Sequence, residues 1–321
     1  MKPILSILFI SMLGLSACAN AANQSVDSWL QGVKQEASAK GISANTVNAA
    51  LRNFKPNEKI IRLDRKQPEG SLSFAQYMER VVPTSRINQG RRMYQQNRAL
   101  LDKIGAQYGV QPKFIVALWG IETNYGGNTG GFRIIPALAT LAYDGRRAEF
   151  FRKEMMQALQ IVDGGHIPLS SFKGSWAGAM GQSQFMPSSF FAYAQDYNGD
   201  GRKDIWETKS DVFASIANYL SKSGWNDDET WGRKIRLPTG FNTKLASRKI
   251  KKPLAEWSRM GVRKADGSAL PNVDVMASVV YPGKEGEESY ITYKNYDVIM
   301  KWNRSTYFAT AVGTLADAIG R

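Results

Sequence analysis

The chain reads as a mainly helical α+β protein, and three observations predict it. Apolar residues recur at helical spacing from Val26 to about Trp231, in short segments broken by glycine loops. From about Arg236 the pattern changes: Ala277-Ser278-Val279-Val280-Tyr281 and Tyr290-Ile291-Thr292-Tyr293 read as strands, joined by Pro282-Gly283-Lys284-Glu285-Gly286 as a turn. The last segment, Tyr307 to Ile319, is an alanine-rich helix.

In chain order, the first element is a leader rather than part of the fold. Lys2 precedes an apolar run from Ile4 to Leu13, the pattern of a signal peptide and too short to span a membrane. The run ends in Leu15-Ser16-Ala17-Cys18, which resembles the bacterial lipoprotein cleavage box. Residues 1–17 are then the signal peptide, Cys18 the lipidated first residue, and 18–25 a polar tether. Ala19, not aspartate, follows the cysteine, so the expected address is the inner leaflet of the outer membrane. Cleavage after Ala19-Asn20-Ala21 would instead give a soluble periplasmic protein.

A helical region is expected over 26–108. Val26, Trp29, Leu30 and Val33 keep helical spacing, and Ser43 offers an N-cap for Ala44 to Phe54. Residues 55–70, charged and holding Pro56 and Pro68, read as irregular. Helical patterns resume at Phe74, Tyr77 and Met78, and again from Arg91 to Tyr108.

The next helix carries the most informative residue. Pro112 suits a first helical turn, and Phe114 to Ile121 are almost all apolar. Ile115, Leu118 and Glu122 fall on one stripe, and Asn124, Gly126 and Gly127 supply the stop. A glutamate there is partly desolvated and near the negative end of the helix dipole, and both effects raise its pKa. General-acid work on a glycosidic oxygen needs that shift. Further on, Gly178-Ala179-Met180-Gly181-Gln182-Ser183-Gln184-Phe185-Met186-Pro187-Ser188-Ser189 mixes amides, hydroxyls and aromatics with no charge. An acid facing a neutral, amide-rich strip points to a glycan-cleaving enzyme.

What the chain lacks narrows the chemistry. It has one histidine, His166, in a loop-like stretch, and one cysteine, Cys18, which the lipid would occupy. Histidine-dependent triads, thiol nucleophiles and hydrolytic zinc sites are therefore disfavoured. No organic cofactor is expected. The net charge of +14 attracts polyanions. Export disfavours nucleic acid, leaving the acidic cell wall as the partner.

Asp196-Tyr197-Asn198-Gly199-Asp200-Gly201-Arg202-Lys203-Asp204-Ile205-Trp206-Glu207 matches the EF-hand loop pattern, with Lys203 in a usually apolar place. Asp196, Asn198, Asp200, the Arg202 carbonyl and Glu207 are its expected ligands to one structural calcium, with Asp211 an alternative to Glu207 in a longer loop.

Taken together, these segments resemble the membrane-bound lytic murein transglycosylase B family over nearly the whole mature chain. The resemblance rests on Gly120-Ile121-Glu122-Thr123, Ala137-Leu138-Ala139-Thr140-Leu141 and Arg146-Arg147-Ala148-Glu149-Phe150-Phe151. It continues through Ser175-Trp176-Ala177-Gly178-Ala179-Met180-Gly181, Gln184-Phe185-Met186-Pro187-Ser188-Ser189, the aspartate loop, Ala217-Asn218-Tyr219 and Trp302-Asn303-Arg304-Ser305. It implies a lysozyme-like helical catalytic core over 109–235 and 301–321, an N-terminal helical region, and a small β-rich subdomain over 236–300.

It also implies cleavage of the β-1,4 bond between N-acetylmuramic acid and N-acetylglucosamine in peptidoglycan glycan strands. Glu122 would protonate the leaving oxygen and then act as base on the muramic-acid C6 hydroxyl, giving a 1,6-anhydro end. The substrate's acetamido group would stabilise the positive charge, although Asp144, Glu149, Glu154 and Asp163 lie near in sequence. Arg146, Arg147 and Glu149 are read as structural. Carried over residue by residue, the sugar-binding positions are Ser175, Gln184, Tyr219 and Asn303, with Tyr77 a further candidate. An aromatic common in the family before that glutamine is Gln182 here, and a tyrosine after the asparagine motif is Phe308, with Tyr307 adjacent. A hydrolytic muramidase and a non-catalytic wall-binding lipoprotein are the alternative readings.

Overall fold

The computed structural model describes residues 25–66 and 72–320. The signal peptide, Cys18 and nearly all of the tether lie outside the described residues.

The described residues open with α1 (Val26–Ala39), α2 (Ala44–Ala50) and α3 (Glu58–Arg65). Ser43 caps α2, its side chain accepting from Thr46 N, but the helix stops at Ala50 rather than Phe54. Helix α3 lies inside the stretch that reads as irregular. Asn57 caps it, Ile60 and Ile61 are buried, and its polar composition hides a short amphipathic helix. Next come α4 (Phe74–Val81), α5 (Thr84–Gln96) and α6 (Arg98–Tyr108). The pattern expected from Arg91 thus starts earlier, at Thr84, and breaks at Asn97, whose side chain donates to the Met93 carbonyl.

These six helices are not one body. α1–α3 pack on α8 (Ile134–Asp144) and α9 (Ala148–Asp163), whereas α4–α6 pack around α7 (Pro112–Thr123), α11 (Lys209–Lys222) and α14 (Thr306–Ile319). The Arg146–Arg147 pair, at the α8–α9 corner, holds α3 in place. Both guanidiniums meet Asp64, which is buried and held below the usual carboxylate range by its hydrogen bond from Arg146.

A two-stranded ribbon, β1 (Phe132–Arg133) against β2 (Lys173–Gly174), and α10 (Pro187–Tyr193) complete the second core. The sheet is built from β3 (Gly232–Arg236), β4 (Lys252–Pro253), β5 (Arg263–Lys264), β6 (Met276–Val280) and β7 (Ser289–Thr292) in the antiparallel order β4-β6-β7-β3-β5. The expected hairpin is β6–β7. The sheet begins at Gly232, inside the segment assigned to the core, because β3 pairs with β7 from Gly232 onward. The short helix α12 (Leu254–Arg259) packs Trp257 and Leu254 into a third, smaller core. Helix α13 (Lys294–Trp302) runs from the sheet to the boundary between the two helical cores, where Trp302 touches both.

Candidate active site

Helix α7 is buried on every side from Phe114 to Gly120, more completely than the single stripe read from the sequence. A helix apolar all round belongs in a core, so its last turn delivers Glu122 to the seam where the cores meet. The exit is abrupt: Asn124, Tyr125 and Gly126 take φ of 51, 60 and 85°. Two non-glycine residues in the left-handed region cost on the order of 1 kcal/mol each. The turn folds the Tyr125 ring over Gly120, where a Cβ would stand 2.5 Å from it, and the Tyr125 hydroxyl donates to the Arg86 carbonyl at 2.8 Å.

The amide strip locks this turn. Trp119 Nε1 donates to Gln182 Oε1 at 2.8 Å, and Gln182 Nε2 donates to the Trp206 carbonyl at 2.6 Å. Thr123 Oγ1 donates to the Gln182 carbonyl at 2.9 Å and accepts from Gly126 N at 3.1 Å. Gln182 is therefore a buried clamp, which explains why a polar residue stands where the sequence alone suggests only a lost aromatic contact.

Glu122 Oε1 accepts a hydrogen bond from Trp302 Nε1 at 2.6 Å. Burial pushes the carboxyl up to about 7, against the opposing pull of that bond. Among the described residues no other carboxylate shifts its ionisation. The four acids near it in sequence are engaged or remote. Asp144 pairs with Arg65, Asp163 caps α2 through Ser43 and Thr46, and Glu154 accepts from Ser188 N. Glu149 is exposed on α9, beside Glu36 and Lys40.

Tyr219 stands beside Trp302, the hydrogen-bond donor to the acid. Its ring lies 4.6 Å from Trp302 and 4.4 Å from Tyr193, and its hydroxyl donates to the Lys301 carbonyl at 2.8 Å. Phe185 closes the aromatic group, 5.3 Å from Trp302. Gln184 sits at φ 49°, its Nε2 donating to the Thr129 and Gly181 carbonyls. Ser175 is bonded both ways to Ala179, holding the loop after β2. Asn303 directly follows Trp302, exposed, with Oδ1 accepting from Ser305 N. Tyr77 senses Glu122: burial raises its hydroxyl pKa, and the carboxylate adds to the rise. Tyr307 stacks edge-on against Tyr77 at 5.4 Å while Phe308 is buried in the core, so Tyr307 is the ring beside Tyr77.

Two residues escape a reading of the sequence. Trp302 is visible there only as part of a motif, 180 residues from its partner. Arg86, whose Nε is buried without a partner among the described residues, lies near both Tyr77 and Tyr125, and nothing in its local sequence marks it.

A family model described as the transglycosylase SLT domain matches residues 25–317. The chain belongs to this family. It is 30% identical over 295 residues to the membrane-bound lytic murein transglycosylase B of Escherichia coli (strain K12), covering 87% of this chain and 79% of that protein. Among solved structures it is similar to SltB3 from Pseudomonas aeruginosa in complex with NAG-anhNAM-pentapeptide, with TM-score 0.89 and 40% identity over 93% of this chain and 80% of that one. It is also similar to the E. coli lytic transglycosylase Slt35 in complex with calcium, with TM-score 0.75 and 30% identity over 91% and 92% of the two chains.

The aspartate loop of this SLT-family chain offers oxygen donors only, the donor chemistry of a hard cation. Asp196 accepts from the backbone N–H of Gly199, Asp200 and Gly201, which curls the loop around its carboxylate. Asp211 is fully buried, accepts from Tyr197 N and Asp204 N, and has its carboxyl pKa raised by burial. Among the described residues no cation pairs with it. A buried, uncompensated acid against an acidic loop fits a bound cation. Among the described residues, however, no three acidic, histidine or cysteine side chains converge closely enough to ligate one ion. Asp204 is occupied by the turn at Trp206, Glu207 and Thr208, and Glu207 lines a cavity with Lys173 and Ser171 that Arg202 and Asp204 of the loop also border. His166 is a loop residue, its Nδ1 accepting from Lys203 N and so fastening this loop to the end of α9.

Proposed function

We propose that the chain is a lytic transglycosylase that cleaves the β-1,4 bond between N-acetylmuramic acid and N-acetylglucosamine in peptidoglycan, leaving 1,6-anhydro ends. The observation that carries this reading is a single acid, Glu122, raised to about 7 by burial and hydrogen-bonded by Trp302, with no second carboxylate among the described residues shifting it. Two-carboxylate glycosidases place an acid and a nucleophile or base on opposite sides of the bond. In this reading one group serves as acid and then base, which suits an acceptor carried by the substrate. The neighbours agree: SltB3 is recorded with NAG-NAM-pentapeptide and with NAG-anhNAM-pentapeptide.

The chemistry at Glu122 follows from its hydrogen bond. With Oε1 accepting the Trp302 N–H, the proton of the neutral acid belongs on Oε2. Oε2 gives that proton to the glycosidic oxygen as the bond breaks. The carboxylate formed is stabilised by the same indole N–H, then takes the proton of the C6 hydroxyl as that oxygen closes on C1. Tyr219, Tyr77 and Trp302 give the sugar rings flat, polar-tipped faces, while Ser175, Gln184 and Asn303 read their polar groups.

The aspartate loop belongs to the same proposal as a structural calcium site. Asp196, Asn198, Asp200 and the Arg202 carbonyl would hold the ion, with Asp211 rather than Glu207 closing the loop, because Asp211 already reaches Tyr197 and Asp204. A melting temperature that ignores both calcium and chelator would sink it. Lipidation at Cys18, anchoring the chain in the outer membrane, rests on the Leu15-Ser16-Ala17-Cys18 box. Among the described residues no helix is long and apolar enough to cross a membrane. Palmitate labelling of the chain and of Cys18→Ala tests the anchor; equal labelling refutes it.

Digestion of purified peptidoglycan, with mass spectrometry of the products, decides the reaction. Anhydro ends that vanish in Glu122→Gln are expected. Reducing ends would mean hydrolysis.

A further inference from the structure

The positive charge of this chain is concentrated in one place. Between residues 232 and 264 stand eleven lysines and arginines and a single acid, Glu256, a net of ten out of the chain's +14. This segment runs from β3 to β5 and forms much of the sheet subdomain.

The two edges of that sheet differ. On the β4 side the cations are paired: Arg248 and Lys251 with Asp297, and Lys252 with Glu256. On the β5 side they are not. Arg236 stands directly opposite Arg263 in the β3–β5 register, and Lys264 is the next residue of that edge strand. Arg259, exposed at the end of α12, lies in the same corner, since Arg263 Nη1 donates back to the Ser258 carbonyl. Among the described residues no carboxylate forms an ion pair with Arg236, Arg259, Arg263 or Lys264. Asp266 is bound to Ser268 and meets Lys264 only through space, and Glu288, beside Ser289 of β7, is engaged by Lys234 and Tyr290. Like charges placed directly opposite one another destabilise a sheet. An anion bound at this edge would relieve that repulsion.

We infer that the β5 edge, through Arg236, Arg259 and Lys264, docks the carboxylates of peptidoglycan stem peptides while the glycan strand occupies the cleft at Glu122. The inference rests on the function proposed above. Helix α13 leads from the sheet to Trp302 at the acid, nine residues or roughly 13 Å. The β5 edge lies two strand spacings beyond β7, roughly 10 Å, and level with Ser289, three residues along β7 from the Thr292 end that leads into α13. Together these lengths exceed the roughly 17 Å that an extended five-residue stem spans, so the stems that meet this edge are those on sugars of the same strand flanking the cleft. A repeating carboxylate polymer also matches a row of unpaired cations better than one small anion would.

The test measures sedimentation of the Glu122→Gln chain with intact peptidoglycan at low salt, which needs no turnover. It compares Arg236→Gln/Arg259→Gln/Lys264→Gln with its parent. About tenfold weaker binding to intact peptidoglycan is expected, with unchanged binding to the same material after an amidase has removed the stems. Equal binding of parent and variant to intact peptidoglycan overturns the inference, as does an equal loss on stem-free glycan. Loss on phosphatidylglycerol vesicles alone, with peptidoglycan binding intact, assigns the edge to lipid and also overturns it. If the triple variant fails to melt cooperatively, Arg236→Gln alone carries the same comparison with a smaller change. Failure of the parent to bind stem-free glycan counts against the proposed function instead, and so does the absence of anhydro ends.

Discussion

The end of α7 and the β5 edge of the sheet handle charge in opposite ways. At α7 one carboxyl, hydrogen-bonded by the Trp302 indole, is desolvated and kept neutral into the range of about 7. At the β5 edge Arg236 and Arg263 stand opposite each other, the first exposed and the second half-buried, with no partner acid among the described residues. Desolvation sets a proton's affinity at a single atom, which is what bond cleavage needs. Exposed charge acts over a Debye length and discriminates little, which is what capturing a polymer needs. The same chain separates the two tasks by placing them on different elements.

The sharpest way to break the enclosed region is through its clamp. Gln182→Leu leaves Trp119 Nε1 and the Trp206 carbonyl buried and unpaired, at about 1–3 kcal/mol for each orphaned group. A loss of about 3 kcal/mol in denaturant unfolding is expected, together with a fall in kcat as Thr123 and the turn after Glu122 loosen. An unchanged midpoint would mean that water replaces the clamp.

Next in size is the acid itself, read through stability. The folded pKa of Glu122 lies near 7, against 4.5 for the ordinary group. The folded state therefore binds the proton more tightly. Its contribution to stability is present below about 4.5 and is lost as pH rises through about 7. Glu122→Gln, which cannot ionise, should match the wild type near pH 4 and exceed it by up to about 3 kcal/mol at pH 8. Activity moves the other way, falling by about 10³-fold. Equal stability at both pH values would show that the carboxyl is not desolvated.

Trp302→Phe sharpens the comparison at one hydrogen bond. The indole N–H favours the ionised carboxylate, so its removal should move the alkaline limb of the pH–rate profile upward. The rate itself should drop about tenfold, since one charge-assisted bond contributes roughly 1.5 kcal/mol. A lower rate with an unmoved limb would reduce Trp302 to packing.

These two regions also differ in how legible they are in the sequence. Glu122 and its desolvation can be read because the cause is local: an apolar helix, a proline at its start and a glycine-rich stop. The hairpin of β6 and β7 and the Ser43 cap are local in the same sense. Trp302, Gln182 as a clamp and Arg86 are contacts between distant segments, and no window of sequence holds both partners. Helix α3 is hidden for another reason. Its polar run is stabilised by Asp64 meeting two arginines from the α8–α9 corner, a tertiary effect overriding composition. The concentration of charge in 232–264 is plain in the composition, but only the β3–β5 register turns it into a surface.

That register yields the smallest expected effect, and the one that separates the regions most cleanly. Arg236→Gln removes one of two like charges facing each other across β3 and β5, a relief of a few tenths of a kcal/mol by cross-strand pair energies. The melting temperature should therefore rise slightly at low ionic strength. Near 1 M salt, where the screening length is about 3 Å, the difference should vanish. At Glu122 the corresponding neutralisation responds to pH and little to salt, because the cost there is desolvation rather than repulsion between exposed charges. If Arg236→Gln destabilises the chain at low salt, the guanidinium has a partner within the fold, and the β5 edge loses its claim to be an open anion site.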